Sequence, residues 1–222
     1  MRTAAHFGED GAVEPLSWEP EDEDDYEAAN ADLKRRFVAW ADDKGLEVER
    51  DGPEGLLHYK WAYVDRHLTR WRRRDLYEIY LELYPAKVMA EADELDEILA
   101  ETKTFITFLA ESELLDEESE SPEVLRDFLD EIAPEFREHM ADSSRYSFGK
   151  RLWTEAASEG VSPDDPAAVE AFMGRFNSRP RAERDAILGP GLMPAGRRVT
   201  SGRFTPPGTP SRPSGKRRKR RR

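Results

Sequence analysis

A chain of 222 residues, 38% of them hydrophobic and 36% charged, is long enough for one packed domain but more charged than the ~25% of an ordinary globular chain, so part of it is expected to lie outside any core. The lack of cysteine excludes disulfides, thiolate zinc sites, iron–sulfur clusters and cysteine nucleophiles. The formal net charge of -13 is unevenly placed, with -9 on residues 1–30, -15 on residues 31–188 and +11 on residues 189–222.

The chain opens on an acidic segment containing "EPEDEDDYE". Like charges at this density repel one another, so residues 1–26 are expected to be disordered. The first residues hold no apolar run of signal-peptide type, and no ~18 apolar residues run together anywhere, which gives the expectation of a cytoplasmic protein with no transmembrane segment.

From Asn30 the pattern becomes helical. Leu33, Phe37, Trp40 and Ala41 share a face, and Gly45 followed by Leu46 has the form of a left-handed C-terminal cap. Leu57, Trp61 and Val64 mark a second helix to about Tyr63. Leu76, Ile79, Tyr80 and Leu83 mark a third, which Pro85 is expected to stop, with Trp71 placed as a hydrophobic staple and Arg72 a poor N-cap. The clearest stripe is Leu95, Ile98, Leu99, Thr102, Phe105, Ile106 and Leu109, in steps of three and four that no strand accommodates.

Ser121 and Pro122 form an N-cap and first helical position ahead of Leu125, Phe128, Leu129 and Ile132, and Pro134 is expected to begin a separate short piece. Ser144 is the expected cap of the helix that ends at Gly160, Asp165–Pro166 opens another, and the last runs from about 180 to 188 before Gly189. Nothing alternates with period two and no repeat recurs at a fixed period, so the expectation is an all-α, single multi-helix domain of about eight helices over residues 27–188. Residues 189–222 read as a disordered Pro/Gly-rich linker with a polybasic tip.

The signatures of phosphate-binding loops, dinucleotide folds, zincins and nucleophile elbows are missing, so no catalytic, cofactor-binding or metal residue is nominated and a non-enzymatic protein is expected. Glu135 and His139 stand four apart on a helix and have metal-ligand spacing, but without a second Glu-x-x-His they read as an ion pair. One internal basic cluster comprises Lys60, Arg66, Arg70, Arg72, Arg73 and Arg74, interleaved with Tyr59, Trp61, Tyr63 and Trp71. Such a mixture clamps phosphates and stacks bases in single-strand binders. The simpler reading makes the tryptophans core anchors and pairs the arginines with the abundant carboxylates.

The terminal run Lys216, Arg217, Arg218, Lys219, Arg220, Arg221 and Arg222 has no packing role and reads as a contact for a polyanion, RNA or DNA, made through phosphates without sequence specificity. The helical domain remains available to a protein partner. The alternative is a helical adaptor whose tail serves solubility or an anionic membrane surface. A third reading is an enzyme in which Lys60, Asp75 and Arg145 or Lys150 meet in a pocket.

Three stretches, "LLHYKWAYVDRHLTRWRRRDLYEIYLELYPAKV", "LAETKTFITFLAESELL" and "DSSRYSFGKRLWTEAASEGVSPDDPAAVEAFMGRFN", carry a resemblance to a family of all-helical proteins from high-GC bacteria that has no established activity. The resemblance spans roughly residues 27–188 and implies only the helical fold. Arginine's excess over lysine, 26 to 8, fits such a genome. The stretch "TFITFLAESELL" also faintly resembles the helical core-binding domain of tyrosine recombinases, a fold analogy over some twenty residues.

Overall fold

A computed structural model describes residues 5–7, 13–15, 17–49 and 53–189. The body is all-α, as expected, and is preceded by two short antiparallel strands, β1 (Ala5–Phe7) and β2 (Val13–Pro15), with His6 opposite Glu14. Of the stretch 1–26 expected to be disordered, residues 17–26 instead join the body: Trp18 packs on the core, Pro20 and Tyr26 are buried, and α1 (Glu23–Lys44) begins at Glu23. The acidic run is used rather than merely tolerated. Asp22 accepts a hydrogen bond from the Asp25 amide at 3.0 Å, and Glu23, Asp24 and Asp25 occupy the first turn, where free amides and the helix dipole favour negative charge. Three further bonds tie this entry segment to the chain ahead: Leu68 N–H to the Trp18 carbonyl (2.8 Å), Trp61 Nε1 to that of Pro20 (3.3 Å) and Arg66 Nη1 to that of Glu21 (2.9 Å).

Gly45 ends α1 in the left-handed region, φ 68°, and the Leu46 amide returns to the Ala41 carbonyl at 2.9 Å. Next come α2 (Pro53–Tyr59), which widens into a π-helical turn over Lys60–Val64, and α3 (Arg73–Tyr77), which widens over Glu78–Leu83 before α4 (Tyr84–Lys87). Pro85 therefore does not stop the third helix. The Tyr84 amide already reaches back five residues to Ile79, so the proline enters a ladder whose register has shifted, and the rod continues to Lys87.

The hairpin of α5 (Glu94–Glu111) and α6 (Pro122–Ala141) follows, with Ser121 capping the Val124 amide. Pro134 lies inside α6 instead of starting a new piece. It is on the exposed side, where the carbonyl it leaves unpaired meets water while Leu129, Ile132, Phe136 and Met140 hold the opposite face in the core. A 3₁₀ turn (Ser143–Arg145) leads to α7 (Phe148–Ser158), α8 (Pro166–Ser178) and α9 (Arg181–Leu188). The cap of α7 is Ser147, not Ser144, because Asp142 holds the Ser144 amide in the preceding turn.

Counting the widened helices as continuous, eight rods are present among the described residues. Their apolar side chains gather in two clusters. The larger joins α1 to α6, and the smaller sets Ala156, Val161, Phe172 and Phe176 against Leu152, Trp153 and Ile187. Bonds that cross the seam include Lys150 Nζ to the Pro85 carbonyl (3.0 Å), Ser147 N–H to that of Ala86 (2.9 Å) and the Tyr146 hydroxyl to that of Met140 (2.9 Å). No helix among the described residues is long and apolar enough to cross a membrane. The tail 190–222, expected to be disordered, lies outside the described residues.

Candidate functional site

The basic cluster is the candidate that the structure redraws most. Lys60 does not face solvent with the arginines; the π turn rotates it inward until it is fully buried. Its ammonium meets Asp75 at 2.6 Å and Asp65 at 2.9 Å and lies 4.9 Å from the centre of the Trp71 ring. A buried ammonium persists only with such partners, since an unpaired one would shed its proton or unfold its surroundings. Asp75 is equally buried and also accepts from the Arg72 amide at 3.1 Å, so this carboxylate supplies the start of α3 with the cap that Arg72 cannot. Burial alone would raise the Asp65 carboxyl, but Lys60 and Arg70 hold it below the usual carboxylate range.

The five arginines divide their charge among the chain's own acceptors. Arg70 spans Asp65 (3.0 Å) and Glu118 (3.3 Å), Arg72 takes Glu118 (2.9 Å) and Arg73 takes Glu120 (2.9 Å). The Arg73 amide also binds Glu120, and amide and guanidinium together keep that carboxyl below its ordinary range. Arg66 has its guanidinium on the Glu21 carbonyl and 5.8 Å from the Trp61 ring. Arg74 has one grazing partner among the described residues, Asp75 at 3.4 Å.

The aromatic residues act as anchors, as in the simpler reading. Trp71 is fully buried with Nε1 donating to the Leu68 carbonyl at 3.0 Å, and Trp61 stacks on Tyr26 at 4.5 Å. These rings already have partners, so among the described residues the cluster presents no row of free rings for bases.

Among the described residues, a shallow, open hollow of ≈ 640 Å³ lies between α3 and α6, lined by Arg72, Arg73, Arg74, Tyr77, Glu120 and Phe128. The groups named for a catalytic pocket do not share it. Lys60 and Asp75 are sealed in the core, Arg145 pairs with Asp142 at 3.6 Å, and Lys150 holds the Pro85 carbonyl at the seam. His139 Nδ1 donates to the Leu81 carbonyl at 3.1 Å and Nε2 lies 3.4 Å from Glu135; among the described residues no three His, Asp or Glu side chains gather into a metal-holding group. Residues 216–222, the first-named binding residues, lie outside the described residues.

Burial moves two titratable groups from their ordinary ranges, Glu101, which the sequence did not single out, and Lys150, which it named without this environment. Burial pushes the Glu101 carboxyl up to about 7, with Glu49 adding repulsion, and its Oε1 is buried without a partner. Burial also pushes the Lys150 ammonium down to about 8, with the Tyr146 ring 3.9 Å beneath it. Glu49 beside Glu101 and the Pro85 carbonyl beside Lys150 come from remote parts of the chain, so spacing alone could not have found these environments. The chain matches no family model, no characterised protein and no solved structure.

Proposed function

We propose that this chain is a non-enzymatic helical binding protein whose basic stretch, residues 216–222, holds RNA or DNA through phosphate contacts while the body meets a protein partner. The observation that carries the reading is a run of seven cations on a chain of net charge -13, a run with no packing pattern that would keep it. The internal arginine cluster supports the same division of labour, because Arg70, Arg72 and Arg73 are engaged by Asp65, Glu118 and Glu120. Phosphate binding there would have to displace carboxylates already in place. Binding through the run alone is strong at low salt and indifferent to sequence.

The test compares the full chain with one in which all seven terminal cations are replaced by glutamine. Labelled single-stranded RNA, duplex DNA and phosphatidylserine vesicles are titrated against each. Retention of RNA and DNA by the native chain and its loss in the glutamine variant is the expected result. Vesicle binding alone would favour an adaptor at an anionic membrane surface, and equal behaviour of the two chains would remove the run from the function.

A further inference from the structure

We infer that the hollow between α3 and α6 is a docking site for a peptide segment that places a carboxylate next to one bulky apolar side chain. This names the partner chemistry left open in the proposed function and rests on that reading only for its biological setting.

The floor is apolar and partly open. Tyr77 is 45% exposed and Phe128 is half-buried against the core; Val124, one turn before Phe128 on α6, is 39% exposed but is not among the lining residues. Large side chains left open on facing elements are where a partner's anchor gains most from burial, about 25 cal/mol for each Å² of apolar surface removed from water.

The rim specifies charge. Arg72 and Arg73 show how this rim takes an acidic peptide, because the α5–α6 link "DEESESPE" lies across them as one. Glu118 is held by the Arg72 guanidinium, which also donates to that residue's carbonyl at 3.3 Å, and Glu120 is held by both guanidinium and amide of Arg73. Arg74 is the third member and is not so occupied. Its side chain is 73% exposed; Asp75, the carboxylate it grazes, already accepts from Lys60 and the Arg72 amide, and Glu78, one turn on, feels its charge without a hydrogen bond to it among the described residues. A guanidinium matches a carboxylate in two parallel bonds, so Arg74 is an open half-site beside the apolar floor.

The same geometry disfavours nucleic acid. Glu118 and Glu120 would face an incoming phosphate, and the body that surrounds the hollow carries -15 over residues 31–188. A peptide needs only one carboxylate here and can donate backbone N–H groups to Glu120.

The probe is a fluorescein-labelled synthetic peptide of serine and glycine residues with one glutamate beside a central tryptophan. It is titrated by anisotropy against the full chain with its seven terminal cations replaced by glutamine, so that the basic run cannot capture the probe and failure here is separate from failure of nucleic-acid binding. Saturable binding is expected, weakened at least about tenfold by Arg74→Glu, by Tyr77→Ser, or by replacing the probe's tryptophan with glycine, as for central anchors of small interfaces. Both protein variants alter exposed side chains, and their circular dichroism melts confirm folding. Any of four results would overturn the inference: no saturable binding, binding indifferent to the two substitutions, equal binding of the tryptophan-free probe, or a single-stranded RNA oligomer that competes at the hollow. Concentration-dependent self-association abolished by Tyr77→Ser would assign the face to a second copy instead.

Discussion

Replacing Asp75 with asparagine removes one negative charge from a network in which neither Lys60 nor Asp75 reaches solvent. Breaking a buried ion pair by removing one partner costs roughly 3–5 kcal/mol, because the survivor stays buried and uncompensated. Asp65 still stands 2.9 Å from the Lys60 ammonium, which places Asp75→Asn near the lower end, at about 3 kcal/mol. Asparagine keeps an oxygen for the Arg72 amide, so the start of α3 survives; Asp75→Ala loses that cap as well and costs about 1 kcal/mol more. The double change Lys60→Met with Asp75→Leu removes both desolvated charges and is expected to recover most of the loss, the uncapped amide accounting for about 1 kcal/mol of the remainder. Urea unfolding followed by circular dichroism reads these differences if the slope with denaturant is unchanged. A loss under about 0.5 kcal/mol for Asp75→Asn, or a double variant as unstable as the sum of the singles, would refute the claim that this pair is a sealed and mutually dependent unit.

Glu101 has a folded-state pKa raised to about 7, so its contribution to stability is present at about pH 4 and lost as pH rises through 7, by roughly 1–2 kcal/mol once solvent screening of a partly exposed group is allowed for. Glu101→Gln should remove that slope in urea midpoints measured across the range and leave the protein more stable at about pH 8. Lys150 runs the other way: its folded pKa is depressed to about 8, so the cost of burying the charge is present below that pH and is relieved as pH rises toward 10.5. Lys150→Met is therefore expected to stabilise the chain at about pH 7, despite the lost bond to Pro85, and to flatten the alkaline limb of its stability profile. Tyr26 buries a hydroxyl with no partner among the described residues, and Tyr26→Phe should raise stability by about 1 kcal/mol in the same assay.

Much of the fold was legible because its signals are local. The Leu95-to-Leu109 stripe became α5, Ser121–Pro122 opened α6, and Gly45 ended α1 where a left-handed residue was needed. The misreadings share a cause in context that spacing does not carry. Pro85 and Pro134 resemble helix stops, but one follows a π-widened turn and the other faces water. The run around "EPEDEDDYE" looked self-repelling, yet Trp18 and Tyr26 give it apolar anchors and the first turn of α1 takes up its charge. Lys60 looked like a member of a surface patch because no sequence rule announces a π turn, and its partner Asp75 lies fifteen residues on. The reading of the arginines as partners of nearby carboxylates matches the contacts of Arg70, Arg72 and Arg73.

The most direct measurement of the central claim is the salt dependence of RNA and duplex DNA affinity for the native chain and the chain with its seven terminal cations replaced by glutamine. If residues 216–222 carry the phosphate contacts, the logarithm of the association constant falls with the logarithm of salt at a slope of about -6 for duplex DNA and about -5 for single strands. The glutamine variant should bind far more weakly and with a much shallower slope, because Arg70, Arg72 and Arg73 are held by the chain's own carboxylates. A native slope near zero, or a variant that keeps the native slope and affinity, would contradict the proposal and move any nucleic-acid contact elsewhere on the chain.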